Sequence, residues 1–243
     1  MKHLAKTGSI VLLLAVSGNA SAIIIQDNYV GSNSHGWGDV IGSTNRYQVQ
    51  NMEVIFDGDY MNVTVNTNFR NTISDPDPNH VNYGDLFIST NGWNPYGSES
   101  NGYKYDNAIN GEKWEFVFDT SAGKLYGENF TIRTSDYFFG SSGATYRNGQ
   151  EVQRGSGGTS YLGSSVDMSK VGYGGSITYN ILLSSLGLSG DVELGLKWGM
   201  TCANDTIEGA VKYTSVSVPE PSTLLLLGAS LLGFGFTARK KSV

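Results

Sequence analysis

Oxygen-bearing side chains are the most chemically suggestive residues of this sequence. Asp39, Asp85, Asn204 and Asp205 stand in three short segments: residues 39–42 (Asp-Val-Ile-Gly), 84–88 (Gly-Asp-Leu-Phe-Ile) and 198–209, which begins Trp-Gly-Met-Thr-Cys. Carboxylates and amide carbonyls are the donors Ca²⁺ prefers, so convergence of these four side chains would make a calcium site. The competing reading is that Asp and Asn bond their own backbone and cap turns. Asp75-Pro76-Asp77-Pro78-Asn79 begins like a calcium loop, but His80 stands where Gly is needed and Leu86 where a bidentate Glu is needed. It reads as a proline-built turn. No cofactor other than Ca²⁺ is called for.

A second group is aromatic. Trp93, Tyr96 and Tyr103 lie in a Gly-, Asn- and Ser-rich loop at 90–111. Such rings either stack on sugars, and so make glycan contacts, or fold back over a sheet edge. Catalytic patterns are missing: there is no Gly-x-Ser-x-Gly elbow, no His-Glu-x-x-His helix and no phosphate-binding Gly loop. Glu112, Glu115, Asp119 and Glu193 are acids of the kind glycoside hydrolysis uses in pairs, but acids at alternate strand positions usually form a solvated face. Cys202 is the single cysteine, which excludes an internal disulfide and reads as a buried small hydrophobe. The expectation is a protein without an active site.

These residues must be positioned by strands. Met61, Val63, Val65, Thr67 and Phe69 share one face of an extended run, and Val192, Leu194, Leu196, Trp198 and Met200 repeat the pattern. Residues 52–56 form a further strand, and Asp57-Gly58 marks a hairpin between it and the next. Trp114, Phe116 and Phe118 are expected to point inward, with Glu115 and Asp119 outward. Residues 83–89, 130–135, 176–183 and 211–216 read as further strands, whereas the Gly/Ser-rich stretch 140–163 reads as irregular and mobile apart from a short edge strand at 151–154. About ten to twelve short strands without crossover helices predict an all-β, two-sheet antiparallel sandwich with jelly-roll-like topology, spanning 23–217.

Both ends lie outside this domain. Lys2 and Lys6 precede the apolar Ile10 to Val16, and Ala20-Ser21-Ala22 is a small-residue cleavage signature, so residues 1–22 read as a signal peptide cut after Ala22. Residues 23–217 then carry eleven Lys and Arg against twenty-one Asp and Glu, a net charge of −10. That field disfavours nucleic acid and anionic membranes as partners. At the other end, residues 218–243 hold Pro219-Glu220-Pro221, an uncharged run from Ser222 to Ala238, and Arg239-Lys240-Lys241. The run is ~25 Å long as a helix at ~1.5 Å per residue, short for a single membrane span, and the cations act as a membrane stop on the cytoplasmic side.

This three-part tail resembles the PEP-CTERM sorting signal of Gram-negative bacteria, which exosortase, a membrane-embedded cysteine protease or transpeptidase, recognises. The resemblance implies that Pro219, Glu220 and Pro221 are the recognition triplet and that exosortase is a partner. It also implies transient inner-membrane anchoring before release to the cell surface or an exopolysaccharide matrix. Segments 39–42, 84–88 and 198–209 are similar to segments recurring in exported domains ahead of such tails; there a Gly stands where this chain has Ala203, which leaves the tight turn at that point open. The alternatives are a carbohydrate-binding module or glycan-active enzyme, and a permanently anchored protein.

Overall fold

The computed structural model describes residues 21–32, 36, 38–71, 77–168 and 175–215. Residues 1–20, with Ala20, and the whole tail from 216, with Pro219, Glu220, Pro221, Arg239, Lys240 and Lys241, lie outside the described residues. Ala22 is described and exposed, one residue ahead of the first strand. Among the described residues no helix is long and apolar enough to cross a membrane.

Eleven strands follow in order among the described residues. They are β1 (Ile23–Gln26), β2 (Val49–Asp57), β3 (Tyr60–Thr67), β4 (Leu86–Ser89), β5 (Phe116–Asp119), β6 (Lys124–Thr134), β7 (Glu151–Tyr161), β8 (Ser165–Asp167), β9 (Gly175–Leu182), β10 (Val192–Gly199) and β11 (Thr206–Tyr213). Two short helices, α1 (Thr44–Tyr47) and α2 (Ser135–Phe139), lie between strands. One sheet has the order β1-β2-β3-β9-β8 and the other β11-β10-β4-β5-β6-β7, and the pairings between these strands are antiparallel. A two-sheet sandwich fits this arrangement. Each sheet is largely built from meanders, and interleaving of the jelly-roll kind is confined to β9 returning beside β3 and β10 returning beside β4.

Period-two alternation explains the core. Met61, Val63 and Val65 of β3 and Leu194, Leu196 and Trp198 of β10 are wholly buried. They share one apolar cluster with Met52 and Val54 of β2, Ile177 and Tyr179 of β9, and Leu86 and Ile88 of β4. Asp57 pairs with Tyr60 across Gly58 (φ +56), the hairpin expected there. One polar chain crosses the apolar layer: Trp198 Nε1 donates to Tyr179 Oη at 2.8 Å, and Tyr179 Oη lies 3.0 Å from Thr120 Oγ1. Buried hydroxyl and indole groups need such partners, so these bonds fix how the sheets face one another.

Two strand readings are corrected. Phe116 and Phe118 join the main core, but Trp114 precedes β5 and packs instead with Phe87 and Val117 on the other side of the sheet. The stretch 140–163 is not irregular throughout: β7 runs eleven residues against β6. Gly157 (φ +73) and Gly158 (φ +85) sit where the register shifts beside Glu128 (φ 55) and Asn129 (φ 53), so these glycines make a bulge rather than a mobile loop. Ala203, at φ 48, makes the left-handed turn without glycine, its N–H donating to Met200 O at 2.7 Å.

Gly84 is a close-approach glycine. A Cβ there would lie 2.1 Å from Gly199 O and 2.7 Å from Val152 O, both backbone atoms. Gly84→Ala is expected to lower unfolding free energy by about 1–3 kcal/mol or more, measured by chemical denaturation.

Candidate functional site

β10 alternates, so the residues between its core positions face away from the sandwich interior. One of them is Lys197, yet it is only 1% exposed. Its ammonium is enclosed by Glu151 Oε2 (2.8 Å), Glu208 Oε2 (3.0 Å) and Gln150 Oε1 (2.8 Å), and it lies 5.2 Å from the centre of the Tyr29 ring. Glu208 is its cross-strand neighbour on β11, and Glu151 begins β7. Burial alone would lower the lysine's pKa, but the Glu151 and Glu208 carboxylates outweigh it and hold the value above normal. Burial pushes Glu208 up to about 7 against the pull of Lys197.

The cover over this lysine is polar loop held by specific bonds. Glu208 Oε1 accepts from Trp93 Nε1 at 2.8 Å, Tyr29 Oη donates to Asp106 Oδ2 at 2.9 Å, and Gln150 Nε2 donates to Asp106 O at 2.8 Å. The backbone N–H of Val30 donates to Gly102 O at 2.8 Å, pinning the N-terminal segment to the loop. Tyr29, Trp93, Tyr103, Glu99 and Glu208 line a cavity of about 240 Å³ beside β1 and β11. Of the three expected glycan contacts, Trp93 and Tyr103 meet here, whereas Tyr96 is 53% exposed and does not line it.

The expected calcium set is only half assembled. Asp39 and Asp205 converge, but the third member is Asp27, with one oxygen from each lying within 4.8 Å of the others. Asp85 is elsewhere: its carboxylate accepts from the backbone N–H of Thr120 (2.9 Å) and Arg154 (2.7 Å), tying β4 to its neighbours. Asn204 lines a different cavity with Tyr47 and Cys202, and its Oδ1 has no hydrogen-bond partner among the described residues. Nothing local in the sequence marks Asp27; its approach is made by tertiary structure. Gln48 Nε2 donates to Asp27 and Asp39 at 3.3 and 3.4 Å, while Asp205 accepts from the N–H of Val49 (2.6 Å) and Thr206 (2.9 Å).

Burial, and then repulsion from Asp39, pushes Asp27 up to about 8; burial raises Asp39, and burial with Asp27 and Asp39 raises Asp205. The buried Arg147 guanidinium offsets part of this charge while bonding the carbonyls of Gly38, Asp39 and Ala203. Oxygen donors in this set are those a hard cation such as Ca²⁺ takes, so Asp27, Asp39 and Asp205 are the residues that could hold one.

The acids weighed for catalysis have structural employment. Glu112 is buried, its carboxylate accepting from Ser89 Oγ and from the N–H groups of Asn94 and Lys113. Asp119 is not on a solvated face: it is buried and salt-bridged to Arg154 at 2.9 Å, and although burial would raise its pKa, bonds from Ser121, Ala122 and Arg154 hold it below normal. Glu115 accepts from the Thr90 N–H at 2.8 Å, and Glu193 is exposed on β10. Cys202 is buried as expected, and burial pushes its thiol up to about 12, which keeps it un-ionised.

Two outcomes follow from these charges. Lys197→Met strands two buried carboxylates and is expected to cost about 3–5 kcal/mol of unfolding free energy in urea. Carboxyls with raised native pKa values make the folded state bind more protons than the unfolded one, so their stabilisation is complete below about pH 4 and lost as pH rises towards 8. The melting temperature should therefore fall between pH 5 and pH 8, and Asp39→Asn should flatten that fall.

The remaining recognisable feature is the tail. No curated protein and no solved structure matches the chain. The family model described as the PEP-CTERM protein-sorting motif matches residues 217–241, spanning the Pro-Glu-Pro triplet, the uncharged run and the cations. The chain thus carries a PEP-CTERM sorting motif, which marks it for export and exosortase-directed surface sorting.

Proposed function

We propose that this chain is a non-enzymatic surface or extracellular-matrix protein. Its β-sandwich is cargo: it is exported by the signal peptide, held at the inner membrane by the C-terminal helix, and released by exosortase near Pro219-Glu220-Pro221 to the cell surface or an exopolysaccharide matrix. The observation that carries this reading is the sorting-motif match over residues 217–241. The absence of a catalytic role is supported by chemistry: Glu112 and Asp119 are engaged in buried structural bonds and the Cys202 thiol is held neutral.

The rival reading is a carbohydrate-binding module or glycan-active enzyme. A flat stacking platform would support it, but Tyr96 stands apart and Trp93 meets Tyr103 at 66°, so these three rings do not share a plane.

Intact-mass measurement of the mature protein from the native host tests the proposal. The expected product begins at Ile23 and lacks the hydrophobic run and Arg239-Lys240-Lys241, and replacing Pro219, Glu220 and Pro221 by Ala leaves the tail attached and the protein in the membrane fraction. A mature wild-type chain that retains Lys241 contradicts it.

A further inference from the structure

The cavity under the aromatic loop has a chemistry that sorting leaves unused. Tyr29, Trp93, Tyr103, Glu208 and the exposed Glu99 line it together with residues of β1 and β11. The rings are set at angles. Tyr29 and Tyr103 are 25° from parallel with centres 6.0 Å apart, whereas Trp93 and Tyr103 are 66° apart in plane with centres 5.3 Å apart. Inclined rings do not offer one flat face, and a ring face attracts a cation through its quadrupole.

The surrounding charge has the matching sign. Glu99, Glu208, Asp106 and Glu151 lie in or behind the walls, and Lys197, the cation that faces them, is already locked between Glu151 and Glu208. Lys197 sits 5.2 Å from the centre of the Tyr29 ring, so one ring of the set already stabilises an ammonium within the fold. Tyr103 is raised in pKa by burial and then by Glu99, Glu208 and Asp106, as expected where the local potential is negative.

Tyr103 is also held in the left-handed region at φ 53, which is costly for a bulky residue. The turn imposes it: the N–H of Tyr103 donates to Ser98 O at 3.1 Å, and its carbonyl accepts from the N–H of Asp106 at 2.8 Å. The backbone thus spends conformational energy at a residue that lines the cavity.

We propose that this cavity binds a small organic cation, a quaternary or methylated ammonium head group, set against Tyr29, Trp93 and Tyr103 and neutralised by Glu99, with Glu208, already bonded to Trp93 and Lys197, adding only to the negative potential. A bare metal ion would need several converging oxygen donors, and here both oxygens of Glu208 are already bonded to Trp93 and Lys197. A sugar would need an open ring face and gains nothing from the two carboxylates' charge. At about 240 Å³ the space is smaller than the ~300–1,000 Å³ of sites for drug-sized molecules, which limits the guest to a head group of a few heavy atoms. The proposal does not depend on how the tail is processed.

Calorimetric titration of the full-length chain in a nonionic detergent tests it, with choline chloride, its neutral isostere 3,3-dimethylbutan-1-ol, methyl β-glucoside and a sodium chloride control as probes. Choline is expected to bind at least about tenfold more tightly than the isostere. Glu99→Gln, at an exposed position, should weaken choline about threefold or more without changing the isostere or the melting temperature, since one charge of the site is removed. Tyr103→Leu should abolish choline binding. Equal affinity for choline and the isostere would mean an apolar pocket only, and would overturn the proposal. So would binding of the glucoside alone, no binding of choline, or choline binding indifferent to Glu99→Gln.

Discussion

An ammonium group removed from water is tolerated only where opposite charge and hydrogen bonds replace its hydration, because the desolvation cost is several kcal/mol per ion. Lys197 meets that condition with two carboxylates and one amide oxygen, all within 3.0 Å. Its partners come from different parts of the chain: Glu208 from β11, Glu151 from the first position of β7, Gln150 from the residue before it, and Tyr29 from the segment after β1. Satisfying one lysine therefore closes the outer face of the second sheet. The same carboxylate of Glu208 holds Trp93, so the aromatic loop is attached to this ion group and the cavity is a consequence of it.

The sandwich interior is a separate matter. Its apolar layer is held by ordinary packing of Met52, Val63, Ile177, Leu196 and Trp198, with Tyr179 and Thr120 giving the indole N–H a partner. With a single cysteine no disulfide supports it. Division of labour results, in which the inner layer carries stability while the covered outer face carries polar and aromatic groups.

What was legible in the sequence followed local periodicity. The alternations in β3 and β10, the Asp57-Gly58 hairpin and the order of the tail are patterns within a few residues, and each had a structural or comparative counterpart. Lys197 was not legible, because a lysine at an outward strand position looks solvated unless the cover is known. The only local sign was a lone cation within the otherwise uncharged run 194–200, flanked by Leu196 and Trp198. Residue type alone suggests Asp85 for a cation site, yet its oxygens are taken by two backbone N–H groups, while Asp27 enters the acidic cluster through tertiary contacts. Glycines misled in β7, since a bulge and a mobile loop share the same composition.

Hydrogen exchange on the Lys197→Met protein tests the central claim most directly. If the charged lysine fastens the cover, backbone amides at 96, 101–103 and 106 should lose protection while those of β3 and β9 keep theirs. Unchanged protection of the loop amides, with a folded core, would contradict the account.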